Sequence, residues 1–358
     1  MKLKSFDYKT MIPLTGIGVA LILTIIMWLT LPGKANAMEK PPSPDTVIAS
    51  WPASASTIRS AGEAMDVLLA SRKLNQSVTA VGQVKHYLEE QEARGKLDPA
   101  HKLVKARMLQ LYHQFDAASA VLNDVAKSPA HSASALLLLA NIQVQMGQFE
   151  QARDTCSDLF GQVALIVTLT CTLDADFQSS PSRSTYSRLA ALTATQATAP
   201  AEQMLWIHET LAAMALQVNE PELARNHLKT IELSSAPVSL IALWMDTYLV
   251  EQNPSAIFNR IAPMVADQSS LDDAILLRLA IAEAQAGEDK TWQQRMQQRV
   301  AIREWREDNE HAAQLARYYL DVAPDKDKAL HFASLHFEHS KTATDAALVA
   351  RATDAFNQ

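Results

Sequence analysis

Two cysteines, three clustered histidines and a line of arginines are the residues of this chain whose types and spacing invite chemistry. Cys156 and Cys171 are separate from any Cys-x-x-Cys pattern, so dithiol redox catalysis is not encoded. His331, His336 and His339 crowd into Leu330–His339, and the last two share one face of a helix beside Glu338. A metal ion takes three or four ligands at fixed geometry, and His336 with His339 supplies at most two. The plainer reading is a surface helix with polar side chains. Arg295, Arg299, Arg303 and Arg306 fall near one face of the helical run Trp292–Arg306. Such a line either docks an acidic segment or anionic lipid, or is a solvated face paired with neighbouring carboxylates. A His-Glu-x-x-His motif, a Gly-rich phosphate loop and a Gly-x-Ser-x-Gly turn are all missing. The expectation is therefore a chain that catalyses nothing and holds no cofactor.

What must position these residues is a set of helices. The chain has 9 glycines, and Gly16, Gly18 and Gly33 precede residue 38, leaving six for residues 38–358. Sheet-rich and nucleotide-binding folds need more tight turns and close backbone approaches than that. Ala, Leu and Gln, all good helix formers, dominate. The fold class read from this is all-α. The formal charge is -7; residues 1–37 hold Lys2, Lys4, Lys9 and Lys34 against Asp7, so the remainder carries 28 basic and 38 acidic residues, a balance of -10. A body of that sign, with no basic stripe interleaved with aromatics, does not seek phosphate backbones. Nucleic acid is excluded as the expected partner.

Residues 1–10 read as a cytoplasmic lysine-bearing leader, and 11–31 as an uncharged apolar run long enough to cross a membrane as a helix. Pro32-Gly33 and Ala35-Asn36-Ala37 follow, the latter with the small-x-small form of a signal-peptidase site. Two readings stand: a retained single-pass anchor in a bacterial inner membrane, or a signal cleaved after Ala37 that leaves a soluble periplasmic protein. Lysines ahead of the run keep the amino terminus inside in both, so the body faces the periplasm. Residues 32–55 hold Pro32, Pro41, Pro42, Pro44 and Pro52 and read as a linker. Residues 56–98 read as an N-terminal helical cap, 99–340 as repeats and 341–358 as a C-terminal capping helix.

The repeats rest on a period of 34. Phe115, Ala118 and Leu122 recur as Phe149, Ala152 and Cys156, and Ala106 recurs as Ala140. In each copy an apolar helical run meets a break, His113-Gln114 or Gly147-Gln148, before a second run starts. The breaks at Asn219, Asn253 and Gly287 keep the same step where identity has drifted. With Leu136, Leu139 and Ala140 on the first helix and Ala152, Cys156 and Leu159 on the second, the chain resembles the tetratricopeptide repeat family. Phe258 and Trp292 stand where that family has a second-helix alanine, so packing there departs from the pattern.

The resemblance implies a right-handed solenoid of antiparallel helix pairs whose first helices line a concave groove for an extended or helical peptide. Carried over, the groove residues are Leu103, Arg107, Gln110, Leu137, Asn141, Val144, Gln145, Glu209 and Gln217. Leu103 and Leu137 occupy places where a terminal-carboxylate clamp of the family needs polar residues. Neighbouring helices of such an array bring Cys156 and Cys171 within reach of a bridge, which an oxidising compartment favours and which is worth about 3 kcal/mol by the chain-entropy argument. The alternative is that Cys156 is a small apolar filler. The functional expectation is a membrane-tethered periplasmic scaffold that binds another envelope protein or peptide, similar in architecture to accessory subunits of bacterial export, secretion and cytochrome maturation machines. A cleaved, soluble adaptor or a carrier of a metal or small ligand, resting on His336 and His339, is the alternative.

Overall fold

The structure, a computed structural model, describes residues 58–75, 79–195, 199–265, 271–287, 290–307 and 311–357, all within one compact unit, Val47–Gln358. The expected membrane or signal run 11–31, the Ala35-Asn36-Ala37 site and the linker 32–55 lie outside the described residues. Among the described residues no helix is long and apolar enough to cross a membrane.

Seventeen α-helices make up the described fold, and apart from one isolated antiparallel bridge it holds no β-structure. They follow one another as α1 (Ala61–Ala70), α2 (Thr79–Ala93), α3 (Pro99–Leu111), α4 (Phe115–Val125), α5 (Ser132–Gln145), α6 (Phe149–Ser157), α7 (Leu165–Ser179), α8 (Arg183–Thr195) and α9 (Ala201–Gln217). The chain continues through α10 (Pro221–Leu228), α11 (Val238–Leu249), α12 (Pro254–Arg260), α13 (Asp273–Ala286), α14 (Thr291–Arg306), α15 (Ala312–Asp321), α16 (Lys326–His339) and α17 (Ala343–Asn357).

Local chemistry sets where these helices begin and end. The Asp98, Asp272 and Asp325 carboxylates accept backbone N–H groups at the first turns of α3, α13 and α16, and Pro99, Pro221 and Pro254 take first-turn positions that need no N–H partner. At the far ends, His113, Gly147, Asn219, Gln252 and Gly287 all adopt positive φ, between 53° and 75°. A left-handed residue turns the chain out of a helix and lets the next one start at once. Four of these positions, His113, Gly147, Asn219 and Gly287, fall at the breaks read from the sequence period, and the fourth break, expected at Asn253, turns one residue earlier at Gln252, with Asn253 itself at φ -111°.

Each helix from α1 to α14 packs on the next, as do those from α15 to α17, and the odd-numbered helices also pack on one another in order from α1 to α17. Small residues sit at the crossings: Ala106, Ala118, Ala152, Ala212 and Ala224 have no exposed surface, and Ala140 has 2%. The apolar interior consists of one large cluster, Leu74 with buried residues from Ile166 to Ala352, and four small clusters among residues 58–175. Cys156 and Cys171 are joined, with Cα atoms 5.6 Å apart, so that a covalent staple links α6 to α7 inside one of these clusters.

Both ends of the described chain cross over to the odd row. After α1 the backbone turns so that Arg72 O accepts from Val238 N at 2.8 Å and Asn75 Nδ2 donates to Met264 O at 2.8 Å, while Leu74 enters the largest cluster. Arg72, Leu74 and Asn75 thus reach parts of the chain far beyond α2 and α3. At the other end, Lys341 N donates to Gln145 O at 2.7 Å and Ala343 N to Gln178 Oε1 at 3.0 Å, and Gln217 Nε2 donates to Thr344 Oγ1. A stretch just before α17 therefore lies across the C-terminal ends of α5, α7 and α9.

Candidate functional site

The odd row carries polar side chains in an otherwise apolar set of helices, and they fall into two groups. The first begins with Arg107 on α3, whose Nη1 donates to Gln110 Oε1 at 3.1 Å. Gln110 Nε2 donates to Asn141 Oδ1 on α5 at 2.7 Å, and Gln145 Nε2 donates to the same oxygen at 2.9 Å. Arg107 Nε is buried and has no hydrogen-bond partner. Burial, and after it the like charge of Arg72, lower the Arg107 guanidinium to about 10. On α7, burial pushes the Asp174 carboxyl up to about 6, opposed only by the Gln178 amide at 3.1 Å. On α9, burial raises Glu209 as well, and the Ser239 hydroxyl at 3.1 Å and the charge of Arg72 offset this in part. None of Arg72, Arg107, Asp174 and Glu209 forms an ion pair among the described residues.

The second group is neutralised within the chain. Asp246 on α11 meets Arg278 of α13 at 2.5 Å and Arg317 of α15 at 3.0 Å. Arg317 also lies 3.8 Å from Asp321, which pairs in turn with Arg351 of α17. Burial alone raises the Asp246 carboxyl, but the charges and hydrogen bonds of Arg278 and Arg317 outweigh it and leave the group below its usual range. The network ties four consecutive odd helices together.

Of the expected groove residues, Arg107, Gln110, Asn141 and Gln145 are joined in one hydrogen-bonded chain, while Glu209 meets Ser239 and Gln217 meets Thr344. The apolar three serve packing instead. Leu103 packs on the cluster between α3 and α5, Leu137 on the cluster around the disulfide, and Val144, 6% exposed, sits with Ala152 and Ala175. Val144 is buried, whereas Leu103 and Leu137 are half-buried and keep part of their surface open. Gln217 and the Gln145 carbonyl are taken by the chain's own returning segment.

The histidines are not gathered around a metal position. His336 Nε2 lies 2.9 Å from Asp345 Oδ1, His339 points to solvent, and among the described residues no group of three His, Cys, Asp or Glu could hold a metal ion. Asp345 also accepts the Ser340 and Thr342 hydroxyls at 2.7 Å each, so it fastens the start of α17. The arginine line is largely committed too. Arg299 and Arg303 converge on Asp273, which is 4% exposed, at 2.7 and 2.5 Å, and Arg295 lies over the Trp292 ring.

Arg72, Asp174, Gln178 and the Asp246 network were not singled out by sequence. For two of them a signal exists: Asn141 and Gln145 each have a polar counterpart 33 residues on, Asp174 and Gln178, at the same register of the next odd helix. Arg72 had no such signal, because it precedes the repeats and joins the site only by the crossing of its segment to α11. Comparison with family models, with curated proteins and with solved structures finds no match.

Proposed function

We propose that the chain is a membrane-tethered scaffold of the bacterial cell envelope, with a tetratricopeptide-like solenoid body in the periplasm, that binds an extended segment of another envelope protein along its odd-numbered helices and catalyses nothing. The observation that carries this reading is the stretch 341–344 across α5, α7 and α9. At matching ends of successive odd helices the Gln145 carbonyl accepts from Lys341 N, Gln178 accepts from Ala343 N at the first turn of α17, and Gln217 donates to the Thr344 hydroxyl. Helix ends that hold polar groups of the chain's own returning segment in this way are chemically suited to hold those of another segment beside it. The period of left-handed turns and the alanines at the helix crossings support a tetratricopeptide-like array. The tether rests on the uncharged run 11–31 and the export on the lysines before it.

The test is photocrosslinking in the native host, with a crosslinker at Asn141 on the odd row and, as control, at Asp116 on α4; both positions are exposed. The expected result is one envelope protein captured from Asn141 and not from Asp116. Equal capture from both, or from neither, overturns the reading. Amino-terminal mass of the membrane fraction checks the tether: a start at Met1 supports it, and a start at Met38 in the soluble fraction removes it.

A further inference from the structure

Charge compensation divides the odd row, and the uncompensated part has the character of an empty half of an ion pair. Arg107 is half-buried, its Nε is shielded from solvent without a hydrogen-bond partner, and the like charge of Arg72 acts on it; a guanidinium so placed without a counter-ion is costly to keep. Its surroundings fix its orientation. Gln110 engages Nη1, and Gln110 is itself held by Asn141, whose oxygen also takes the Gln145 amide. The edge of the guanidinium left over is the one formed by Nε and Nη2, the side that meets a carboxylate with two parallel N–H bonds. Arg107 and Arg72 both keep part of their surface exposed. Arg72 is positioned by its backbone, which is fastened to Val238 at the start of α11. Glu209 is near enough to feel the charge of Arg72 but is bonded to Ser239 instead.

We propose that Arg72 and Arg107, with Gln110 and Asn141 as positioning residues, form a binding site for a carboxylate carried by an acidic peptide segment of the partner. The proposal rests on the scaffold reading above and specifies the chemistry of what that scaffold holds. It also gives the segment after α1 a role: a ligand on Arg72 and Arg107 bridges the N-terminal hairpin to the first repeat. On a body of net charge -10, general attraction for an anion is lacking, so binding of an acidic peptide has to come from a local site.

Isothermal titration calorimetry on the full chain, with a hexa-aspartate peptide, a hexa-asparagine peptide and inorganic phosphate as probes, tests this. The expected result is binding of hexa-aspartate and not of hexa-asparagine, weakened roughly 10- to 100-fold by Arg107→Gln and also weakened by Arg72→Gln. The ligand-free Arg107→Gln protein should melt at the same temperature as the wild type or higher, which a purely structural arginine would not allow. Hexa-aspartate binding that is absent, or indifferent to both substitutions, overturns the site. Phosphate binding without peptide binding overturns the peptide as its source. Should crosslinking still capture a partner from Asn141 in those cases, the scaffold stands and only the arginine site falls.

Discussion

The two ends of the odd row treat charge in opposite ways. From α11 to α17, Asp246 and Asp321 stand between Arg278, Arg317 and Arg351, and every one of these groups has an opposite charge within reach. From α3 to α9, Arg107, Asp174 and Glu209 have amide or hydroxyl partners but no opposite charge in contact. The first arrangement is a brace, since its members satisfy one another and bind four helices into a unit. The second keeps charge unspent on the fold, and its rigidity comes from elsewhere: the disulfide between α6 and α7 and the returning segment at 341–344. The contrast teaches that in a row of similar helices the same polar register serves stability where charges meet and recognition where they do not.

The comparison breaks most visibly at Asp246. Asp246→Ala leaves Arg278 and Arg317 buried and facing each other, and should cost about 3–5 kcal/mol in urea unfolding, whereas Arg107→Gln should cost nothing. If both cost the same, the distinction between brace and open site is wrong. Replacing both Cys156 and Cys171 by Ala should cost the α3–α9 region about 3 kcal/mol, seen as a lower denaturant midpoint. Reductant should lower the wild type in the same way and leave the double variant unchanged.

A pH effect of smaller size is expected where the two regions meet. His227 on α10 is held by Tyr186 Oη at 3.0 Å and lies 6.1 Å, ring to ring, from His208; the Arg183–Glu220 ion pair is close by. Burial first, and His208 second, depress His227 to about 4. The folded state therefore favours the neutral ring. Above the ordinary histidine value near 6.5 this has no effect on stability; as pH falls from about 6.5 toward 4, the unfolded chain takes up a proton that the folded chain refuses, and stability drops by up to ~2 kcal/mol. His227→Gln should flatten melting temperature between pH 7 and 4.5. The smallest effect belongs to Gly147. Its φ is +75°, and a methyl group there would come within 3.1 Å of Lys341 Cβ. Gly147→Ala should cost about 1 kcal/mol and speed amide exchange at Lys341 and Ala343, the two donors of the returning segment.

Much of the helical layout was legible beforehand. Four of the five breaks expected from spacing, His113, Gly147, Asn219 and Gly287, are left-handed turns, and the fifth, expected at Asn253, falls at Gln252; an abrupt helix exit restricts which residues tolerate positive φ. Alanines at the crossings were legible for a similar reason: close approach of two backbones excludes larger side chains. The polar site was half legible. Arg107 and Asn141 stood one step apart in the sequence, yet nothing local announced that Arg107 would lack a carboxylate, or that Asp246 would have two arginines.

By itself, then, the sequence determined an all-helical chain and most of its turn positions, since these follow from residues a few positions apart, while it left the joining of Cys156 to Cys171 open. Tertiary structure alone decided that residues 71–75 reach α11, that 341–344 lie across α5, α7 and α9, and which charges found partners. The physical reason is range. Helix propensity, capping and φ restrictions act within a turn or two, while pairing of Arg317 with Asp246, 71 residues earlier, or of Ala343 with Gln178, 165 residues earlier, depends on how small rotations between successive helices add up along the row.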